Sequence, residues 1–368
     1  MRILKEDLRI NILRKMEAQL SQKAGSNLYI WGCASTAGMI AAFIEKNSRM
    51  EPAAYIVDDL YYKDAVFCGK KVYKASQWRR IARKGDYVVM GFTGSKRAKE
   101  VILALPDGIE GIYFYFPYSC NAYATCLSYE DYEREQERFS VVFDMLCDEI
   151  SKKTMEAFIN GCITGDVGKL DELQTDGQYF NELTRNCEVQ YLVDCGAYVG
   201  DTVEAAVSFY KERVKGIISF EPDENNIRRL KERVQKLGFA DDRLYLIPKG
   251  SWSGRATLHF ASDNSSSSIS EDGDLVIEVD SVDHVVDSLN KPIGFLKIDV
   301  EGSEKETLRG AAGTIQKYHP LLAVCVYHRP EDLYELPETI CELSKEHPYH
   351  FYLRYHGPDL RELVLYAL

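Results

Sequence analysis

The chain lacks any apolar run long enough to span a bilayer, and it is short of positive charge. Its 45 lysines and arginines face 57 aspartates and glutamates, which gives a net charge of −12 and a pI near 5.2. Nucleic acids and anionic membrane surfaces need clustered basic side chains, so this balance argues against both as partners. The N-terminal stretch shows no signal-peptide pattern, and Glu6, Asp7 and Glu17 are untypical of a transit peptide.

Ten cysteines are present, but none forms a CxxC pair or follows the Cys/His spacing of a zinc finger. This absence disfavours a structural zinc site and a dithiol redox motif. Cys195 and Cys325 fall inside apolar strand patterns, where a free thiol behaves as a small buried apolar group. We therefore expect a reduced, cytoplasmic protein, and its 368 residues leave room for two domains with separate cores.

The most informative segment is YLVDCGAYVGDT, residues 191–202. A short apolar run ends in Asp194, turns through Gly196 and Gly200, and opens into a helical pattern. Glycines let the backbone approach a ligand, and a helix N-terminus supplies unpaired N–H groups. Dinucleotide-binding loops usually have glycine at the strand end, because a carboxylate there would repel pyrophosphate. Asp194 instead favours a cationic ligand without phosphate, which describes S-adenosyl-L-methionine (SAM).

Later strand ends extend this predicted SAM site. The strand Gly216–Phe220 is followed by Glu221, an acid placed about 20 residues beyond the glycine loop, where it can bind both ribose hydroxyls. Pro222 ends that strand because it cannot donate to a ladder. A third predicted strand, 243–247, leads to the adenine side. The predicted cofactor-binding residues are Asp194, Gly196, Ala197, Tyr198, Gly200, Asp201, Thr202, Glu221, Pro222, Asp223, Gly250, Ser251, Trp252 and Asp299.

A fourth strand, Ile293–Ile298, ends in Asp299, and a fifth, 321–326, precedes His328. Strands that end in polar residues and alternate with amphipathic helices predict a parallel sheet with its ligand at the carboxyl edge. Two more segments, 349–355 and 361–366, flank a His-Gly-Pro-Asp turn and predict an antiparallel hairpin. The predicted fold class is α/β, with the parallel core and C-terminal hairpin of a class I SAM-methyltransferase sheet.

Residues 178–368 resemble the FkbM family of SAM-dependent methyltransferases. The matching stretches are Tyr179-Phe180, VDCGAYVGDT at 193–202, FEPD at 220–223, LKIDVEG at 296–302, LRG at 308–310 and YHRPED at 327–332. The LKIDVEG element is the most family-specific of these, and Tyr198 replaces a glycine that the wider class favours. The resemblance implies methyl transfer from SAM, often to hydroxyl groups of sugars or secondary metabolites, and does not identify the acceptor.

A hydroxyl acceptor must lose a proton during methyl transfer. His328 is the predicted general base, since an imidazole pKa of about 6.5 suits neutral pH, and Asp299 is the alternative base. Asp299, Glu301 and His328 could together offer ligands to Mg²⁺, although Glu301 could instead cap a helix beginning near Ser303. We predict no required metal. Lys297 is expected to pair with a carboxylate.

The first 125 residues predict a separate, smaller Rossmann-like α/β domain. This prediction rests on a helix over 2–22, on strands at 27–31, 53–57 and 86–91, and on a last strand at 112–116. The segment loosely resembles the sugar-nucleotide-binding N-terminal domains of some glycan-modifying enzymes. Asp58 and Asp59 would repel phosphate, so a scaffold, an oligomer interface or acceptor positioning are alternative roles.

Residues 126–177 predict a linker of one or two long helices, and residues 178–368 the methyltransferase domain. A serine-rich segment, 262–270, predicts a surface loop that could also serve as an acceptor lid. The predicted function is O-methylation of a sugar, glycan or glycosylated metabolite, with a small-molecule or glycan acceptor; a homo-oligomer is left open. The alternatives are an NAD(P)- or nucleotide-sugar-binding oxidoreductase and a non-catalytic module that binds SAM or a glycan.

Overall fold

The computed structural model describes residues 1–22, 25–92, 94–113, 127–239, 241–263, 266–269, 275–357 and 360–368. The chain divides into two compact units. Unit 1 consists of Met1–Arg134, Glu156–Glu172 and Gly357–Leu360. Unit 2 consists of Glu135–Met155, Leu173–His356 and Arg361–Leu368. The sequence-based boundaries at residues 126 and 178 remain a prediction.

Unit 1 contains a six-stranded sheet in the order β3-β4-β2-β1-β5-β6. Its strands are β1 (Leu28–Trp31), β2 (Ala54–Val57), β3 (Val66–Phe67), β4 (Lys70–Lys74), β5 (Tyr87–Met90) and β6 (Glu110–Ile112). All pairs are parallel except β3 with β4. Ile30 and Trp31 point to opposite faces, and each packs in a separate buried cluster with helices. This confirms an N-terminal α/β unit; residues 114–116 of the last predicted strand lie outside the described residues.

Unit 2 contains a seven-stranded sheet in the order β16-β17-β15-β14-β7-β8-β9 and a four-stranded sheet in the order β10-β13-β11-β12. The strands are β7 (Tyr191–Cys195), β8 (Gly216–Phe220), β9 (Leu244–Ile247), β10 (Gly250–Ser251), β11 (Ala256–Asp263), β12 (Ser266–Ile269), β13 (Leu275–Asp280), β14 (Ile293–Ile298), β15 (Leu321–Cys325), β16 (Phe351–Tyr355) and β17 (Leu363–Ala367). Strands β7, β8, β9, β14 and β15 pair in parallel, and β17 is antiparallel to β15 and β16. The predicted parallel core with a C-terminal hairpin is confirmed.

The serine-rich segment differs from its prediction as a loop. Strand β12 pairs antiparallel with the end of β11, from Phe260 opposite Ile269 to Asp263 opposite Ser266. The ladder satisfies backbone polar groups whatever the side chains are, so serine-rich composition does not prevent an edge strand. Residues 264, 265 and 270 lie outside the described part of the chain.

The helices lie between the strands and in the segment that precedes β7. In chain order they are α1 (Leu8–Gln22), α2 (Ser35–Asn47), α3 (Ala75–Trp78), α4 (Ser95–Leu103), α5 (Tyr129–Arg134), α6 (Gln136–Met145), α7 (Glu149–Thr164), α8 (Gly168–Asp171), α9 (Asp201–Tyr210), α10 (Glu224–Lys236), α11 (Val282–Leu289), α12 (Glu304–Arg309), α13 (Ala312–Tyr318) and α14 (Asp332–Leu343). Short 3₁₀ turns occupy Asp59–Tyr61, Lys211–Arg213 and Asp241–Arg243. Within the described ranges, none of the helices is both long and apolar enough to cross a bilayer.

Among its described residues, the predicted linker contains four helices, α5, α6, α7 and the short α8, where the sequence predicts one or two. Helix α6 ends because Leu146 is extended and forms a β-bridge with Phe351. Asp148 then accepts hydrogen bonds from the Ser151 N–H and hydroxyl, at 2.8 Å and 2.6 Å, which starts α7.

An ion pair joins the start of α7 to β16. Arg354 Nη2 donates to Asp148 Oδ2 at 2.6 Å, and Arg354 Nη1 donates to Ser151 Oγ at 2.8 Å. Burial raises the pKa of Asp148, but the hydrogen bonds from Arg354 and Ser151 outweigh it and lower the pKa to about 2. The folded carboxyl therefore releases its proton more readily than the unfolded one, whose pKa is about 3.9. Its contribution to stability is present above that value and is lost as the pH falls towards 2.

We expect Asp148→Asn to lower the free energy of unfolding by about 1–2 kcal/mol at neutral pH. The difference from the parent protein should shrink as the pH falls below about 4. Urea unfolding followed by far-ultraviolet circular dichroism, at neutral pH and at intervals below pH 5, measures both effects. The control is Asp144→Asn on α6, an exposed carboxylate, which should change stability by less than about 0.5 kcal/mol. A difference that is independent of pH would contradict the role of the ion pair.

Candidate active site

A cavity of about 1000 Å³ opens in unit 2, at the carboxyl edge of the seven-stranded sheet. Most of the predicted cofactor-binding residues line it. They are Gly196, Tyr198, Asp201, Thr202, Glu221, Pro222, Asp223, Gly250, Ser251, Trp252 and Asp299. Asp194, Ala197 and Gly200 are not part of the wall. The structure therefore brings the ends of strands β7, β8 and β14 together around one cavity, in the arrangement of an open parallel sheet.

Two glycines shape the loop after β7. Gly196 has φ +83°, and a Cβ there would lie 1.9 Å from the carbonyl oxygen of Asp299. Gly200 has φ +81°, and its missing side chain leaves space for Leu230 of α10. Glycine adopts this left-handed conformation without a steric penalty. Gly196 thus allows the end of β7 to touch the end of β14. Ala197 and Gly200 belong to the same loop but do not line the cavity.

Asp194 occupies a different place from the one predicted. It is completely buried, and Lys297 Nζ lies 3.1 Å from its Oδ1. The pairing of β7 with β14 sets Asp194 directly opposite Lys297. A buried ammonium needs a counter-ion, and Asp194 supplies it. We therefore correct the sequence prediction that Asp194 meets a cationic ligand; Lys297 pairs with a carboxylate, as predicted.

Lys297 also holds the backbone of the glycine loop. Its Nζ donates to the carbonyl oxygens of Gly196 at 2.7 Å and Cys195 at 3.2 Å. Burial lowers the pKa of Lys297, but the carboxylates of Asp194 and Asp299 outweigh burial and raise it above its ordinary value. The side chain consequently remains an ammonium at neutral pH.

Glu221 faces the cavity at the end of β8. Its Oε2 accepts the Tyr198 N–H at 2.8 Å, and its Oε1 accepts the Asp223 N–H at 3.0 Å and Asn226 Nδ2 at 3.2 Å. Burial raises the pKa of Glu221, and these hydrogen bonds oppose the rise. A carboxylate has about four acceptor sites, so acceptor capacity remains on the cavity side. With three of these sites in use, about one remains to accept a hydrogen bond from a ligand hydroxyl.

An apolar slot of the cavity lies beside Trp252. Ile277 and Val279 of β13 line it, and the Trp252 N–H donates to the Asp280 carbonyl at 2.9 Å. A Cβ at Gly310 would lie 2.0 Å from the Trp252 carbonyl oxygen, so only glycine lets α12 end against this loop. An apolar slot next to Glu221 can accept an aromatic ring joined to a ribose.

The other end of the cavity carries carboxylates and phenols. Asp299 Oδ2 accepts the Tyr179 hydroxyl at 2.8 Å. His328 is not part of the cavity wall; its Nε2 lies 3.6 Å from Asp299 Oδ1, and its Nδ1 lies 2.8 Å from Glu304 Oε1. Glu304 is 1% exposed and also accepts the Val300 N–H at 3.0 Å. His328 therefore lies next to Asp299, outside the cavity wall, and carboxylates surround its ring.

This environment disfavours His328 as the general base, a role that stays a prediction. Burial lowers the pKa of His328, but Glu304, Glu301 and Asp299 outweigh burial and raise the pKa to about 10. At neutral pH His328 consequently holds a proton and cannot accept another one. Burial raises the pKa of Asp299, but Lys297 and His328 outweigh it and lower the pKa below its ordinary value. Asp299, the alternative base, is the ionised group at the wall.

Sequence reasoning missed several residues at this end, among them Gln178, Glu362 and Tyr327. Gln178 Nε2 donates to Glu362 and, at 2.9 Å, to the Tyr179 hydroxyl. Burial raises the pKa of Glu362, and the nearby carboxylate of Asp299 raises it further. Tyr327 and Tyr179 lie in motifs that resemble the FkbM family, and those motifs could have indicated them as site residues. Glu362 comes from the C-terminal hairpin, and no local pattern indicates its approach to Asp299.

Residues 194–357 match the family model described as the methyltransferase FkbM domain. This segment is therefore a methyltransferase domain of the FkbM type. No curated protein matches the chain. Class I methyltransferases carry the reactive methyl group on SAM, which is the cofactor of this domain. The cavity suits a cofactor of this kind, because Gly196 leaves room at the strand end and Glu221 presents a carboxylate to the cavity.

A solved structure of a methyltransferase is similar to the chain in fold. A methyltransferase FkbM from Methylobacillus flagellatus KT is 20% identical, covers 98% of this chain and 97% of its own length, and has a TM-score of 0.73. At that identity the likeness shows the fold alone. Fibrillarin from Aeropyrum pernix, in complex with natively bound S-adenosyl-L-methionine, is 12% identical over 52% of this chain and 71% of its own, with a TM-score of 0.34.

We expect Lys297→Met to lower the free energy of unfolding by about 3–5 kcal/mol, because it leaves Asp194 buried without a counter-ion. Adding Asp194→Asn should recover part of the loss, since the uncompensated charge is then removed as well. Urea unfolding measures both variants. The control, Lys231→Met on α10, removes an exposed lysine and should cost less than about 0.5 kcal/mol. A loss for Lys297→Met as small as that of the control would refute the role assigned to the pair.

Proposed function

Starting from a methyltransferase domain of the FkbM type, we propose that the protein transfers the methyl group of SAM to a hydroxyl of a sugar, glycan or glycosylated metabolite. One observation carries the choice of acceptor: Asp299, Glu301 and Glu362 line the cavity together with Tyr179 and Tyr327. Sugar hydroxyls donate hydrogen bonds to carboxylates, and sugar rings pack against the faces of tyrosines. Phosphorylated or acidic acceptors would be repelled by the same carboxylates.

The donor half of the cavity supports SAM binding through two groups. Glu221 is proposed to accept hydrogen bonds from the ribose hydroxyls, and the slot beside Trp252 to take the adenine ring. SAM supplies a methyl group activated by a positively charged sulfonium. The carboxylates at the far end of the cavity favour that charge, which a phosphate-bearing cofactor would not offer.

Asp299 is proposed to orient the acceptor hydroxyl and to take its proton. Its position at the wall supports this role, because His328 lies behind it and is not a wall residue. The Tyr179 hydroxyl fixes the carboxylate through Oδ2, and Lys297 Nζ lies 3.9 Å from the same oxygen. These contacts hold Asp299 ionised and in one orientation, and positioning of this kind supplies much of the catalysis of a displacement at carbon.

The reaction is proposed to take place in the cytoplasm. The eight cysteines in the described ranges are free thiols, which suits a reducing compartment. A homo-oligomer remains a prediction.

Isothermal titration calorimetry with SAM and with NAD tests the proposed cofactor. We expect the parent protein to bind SAM, and Glu221→Gln to weaken binding by about 10–100-fold, because a charged acceptor of the ribose hydroxyls is lost. Glu232→Gln, an exposed position on α10, is the matched control and should bind SAM normally. Binding of NAD without a response to SAM would favour the oxidoreductase alternative and overturn the proposal.

Asp299→Asn tests the proposed proton acceptor. Transfer of a labelled methyl group from SAM to a panel of sugars and glycans should fall by about 10²–10⁴-fold, because an amide cannot take the proton. Affinity for SAM should stay within several-fold, which excludes loss of the donor site. Asp287→Asn, an exposed carboxylate on α11, should transfer at the parental rate. Normal methylation by Asp299→Asn would remove Asp299 from the mechanism.

A further inference from the structure

His328 Nε2 faces two carboxylates without making a hydrogen bond. The side chain is 9% exposed, and Nε2 has no hydrogen-bond partner among the described residues. Asp299 Oδ1 and Glu301 Oε2 each lie 3.6 Å from it, too far for a hydrogen bond. Buried polar atoms without a partner are rare in folded proteins, so this nitrogen needs a physical explanation.

The other ring nitrogen is fully engaged. His328 Nδ1 lies 2.8 Å from Oε1 of the buried Glu304, which also accepts the Val300 N–H. A carboxylate bonded to one imidazole nitrogen is the arrangement that orients metal-ligating histidines and directs the second nitrogen to the ion. Glu304 thus fixes the ring so that Nε2 points between Asp299 and Glu301.

Glu301 is held in an unfavourable backbone conformation. Its φ is +53°, in the left-handed region that is sterically unfavourable for a non-glycine residue. The predicted capping role does not explain this conformation, because Ser303 is the N-cap of α12 and that end of the helix has no side-chain cap hydrogen bond. The strained turn instead brings Oε2 of Glu301 towards His328. Strain of this kind is concentrated at functional sites and ligand clamps.

We propose that His328 Nε2, Asp299 Oδ1 and Glu301 Oε2 bind a divalent cation at the acceptor end of the cavity. Each of the two carboxylate oxygens lies 3.6 Å from Nε2, a separation that an ion with bonds of about 2.0–2.2 Å to its ligands can bridge. Asp299, Glu304 and His328 also offer ligand atoms within 4.8 Å of one another, so Glu304 is a third carboxylate close to the site. One imidazole with two carboxylates suits Mn²⁺ or Zn²⁺ better than Mg²⁺, which prefers oxygen ligands.

The proposed cation site differs from the sequence analysis, which predicts that no metal is required. Three carboxylates, on Asp299, Glu301 and Glu304, surround His328, and a bound cation relieves their mutual repulsion. The ion takes the place of the proton on Nε2, because an imidazole binds a metal in its neutral form. The role of the ion in catalysis rests on the proposed function. In a coordination position that no protein ligand occupies, the cation holds the acceptor hydroxyl beside Asp299 and lowers the pKa of that hydroxyl. The binding site itself does not depend on the reaction.

Mn²⁺ titration of the chelator-treated full chain, followed by electron paramagnetic resonance, tests the site without SAM or acceptor. We expect saturable binding of about one Mn²⁺ per chain, displaced by Zn²⁺. Glu301→Gln, at a largely exposed side chain, should weaken Mn²⁺ binding by at least about 10-fold, and so should Glu304→Gln, which removes the group that positions the imidazole. Glu232→Gln on α10 should bind Mn²⁺ as the parent does.

No saturable binding of Mn²⁺ or Zn²⁺ to the parent, or unchanged Mn²⁺ binding by Glu301→Gln with a parental circular dichroism spectrum, would overturn the site. Methyl transfer provides the separate readout. Transfer at the full rate by chelator-treated protein would refute the use of the cation and leave the methyltransferase proposal standing. Saturable Mn²⁺ binding that Glu301→Gln weakens, in a protein that does not bind SAM, would support the site while the proposed function fails.

Discussion

The buried charge of Lys297 is the constraint on which the carboxyl edge of the large sheet depends. One ammonium contacts Asp194 across the β7–β14 ladder, the Gly196 carbonyl in the loop and, at 3.9 Å, the Asp299 carboxylate in the wall. A buried cation that loses its partner costs several kcal/mol, about 3–5 in measured cases. Any register that separates these strands would leave that charge unpaired. The narrow loop at Gly196 and the fixed position of Asp299 follow from the same requirement.

The distribution of charge divides the cavity into two ends. Glu221 stands at the end proposed for the donor, held by hydrogen bonds from Tyr198 in the glycine loop, from Asp223 and from Asn226 of α10. The acceptor end gathers Asp299, Glu301 and Glu362, and two phenols line it beside them. A wall of this sign favours a sulfonium and an uncharged hydroxyl acceptor and disfavours phosphate. Of these carboxyl groups, Asp299 is the one whose pKa the fold lowers, because Lys297 and His328 outweigh its burial.

The fold of unit 2 can be predicted well from the sequence, because each strand and loop is marked by residues that are close together in the chain. Each strand is an apolar run that ends in a polar residue, and the glycine loop and the Glu221 position are spaced along the chain as the ligand requires. The roles of Asp194 and His328 depend on residues far away in the chain. Asp194 meets Lys297 only through strand register, and His328 keeps its proton because Glu304, from a different element, lies against it. Glu362 reaches the cavity through the terminal hairpin, which no local pattern reveals.

The most direct test of the two-ended cavity is a crystal structure with S-adenosylhomocysteine, the product that remains after methyl transfer. We expect the ribose hydroxyls within hydrogen-bond distance of Glu221, the adenine ring beside Trp252, and the sulfur directed towards Asp299. Asp194 should stay buried against Lys297, without contact to the ligand. A ligand bound elsewhere, or a sulfur that faces away from Asp299, would contradict the assignment of the two ends of the cavity.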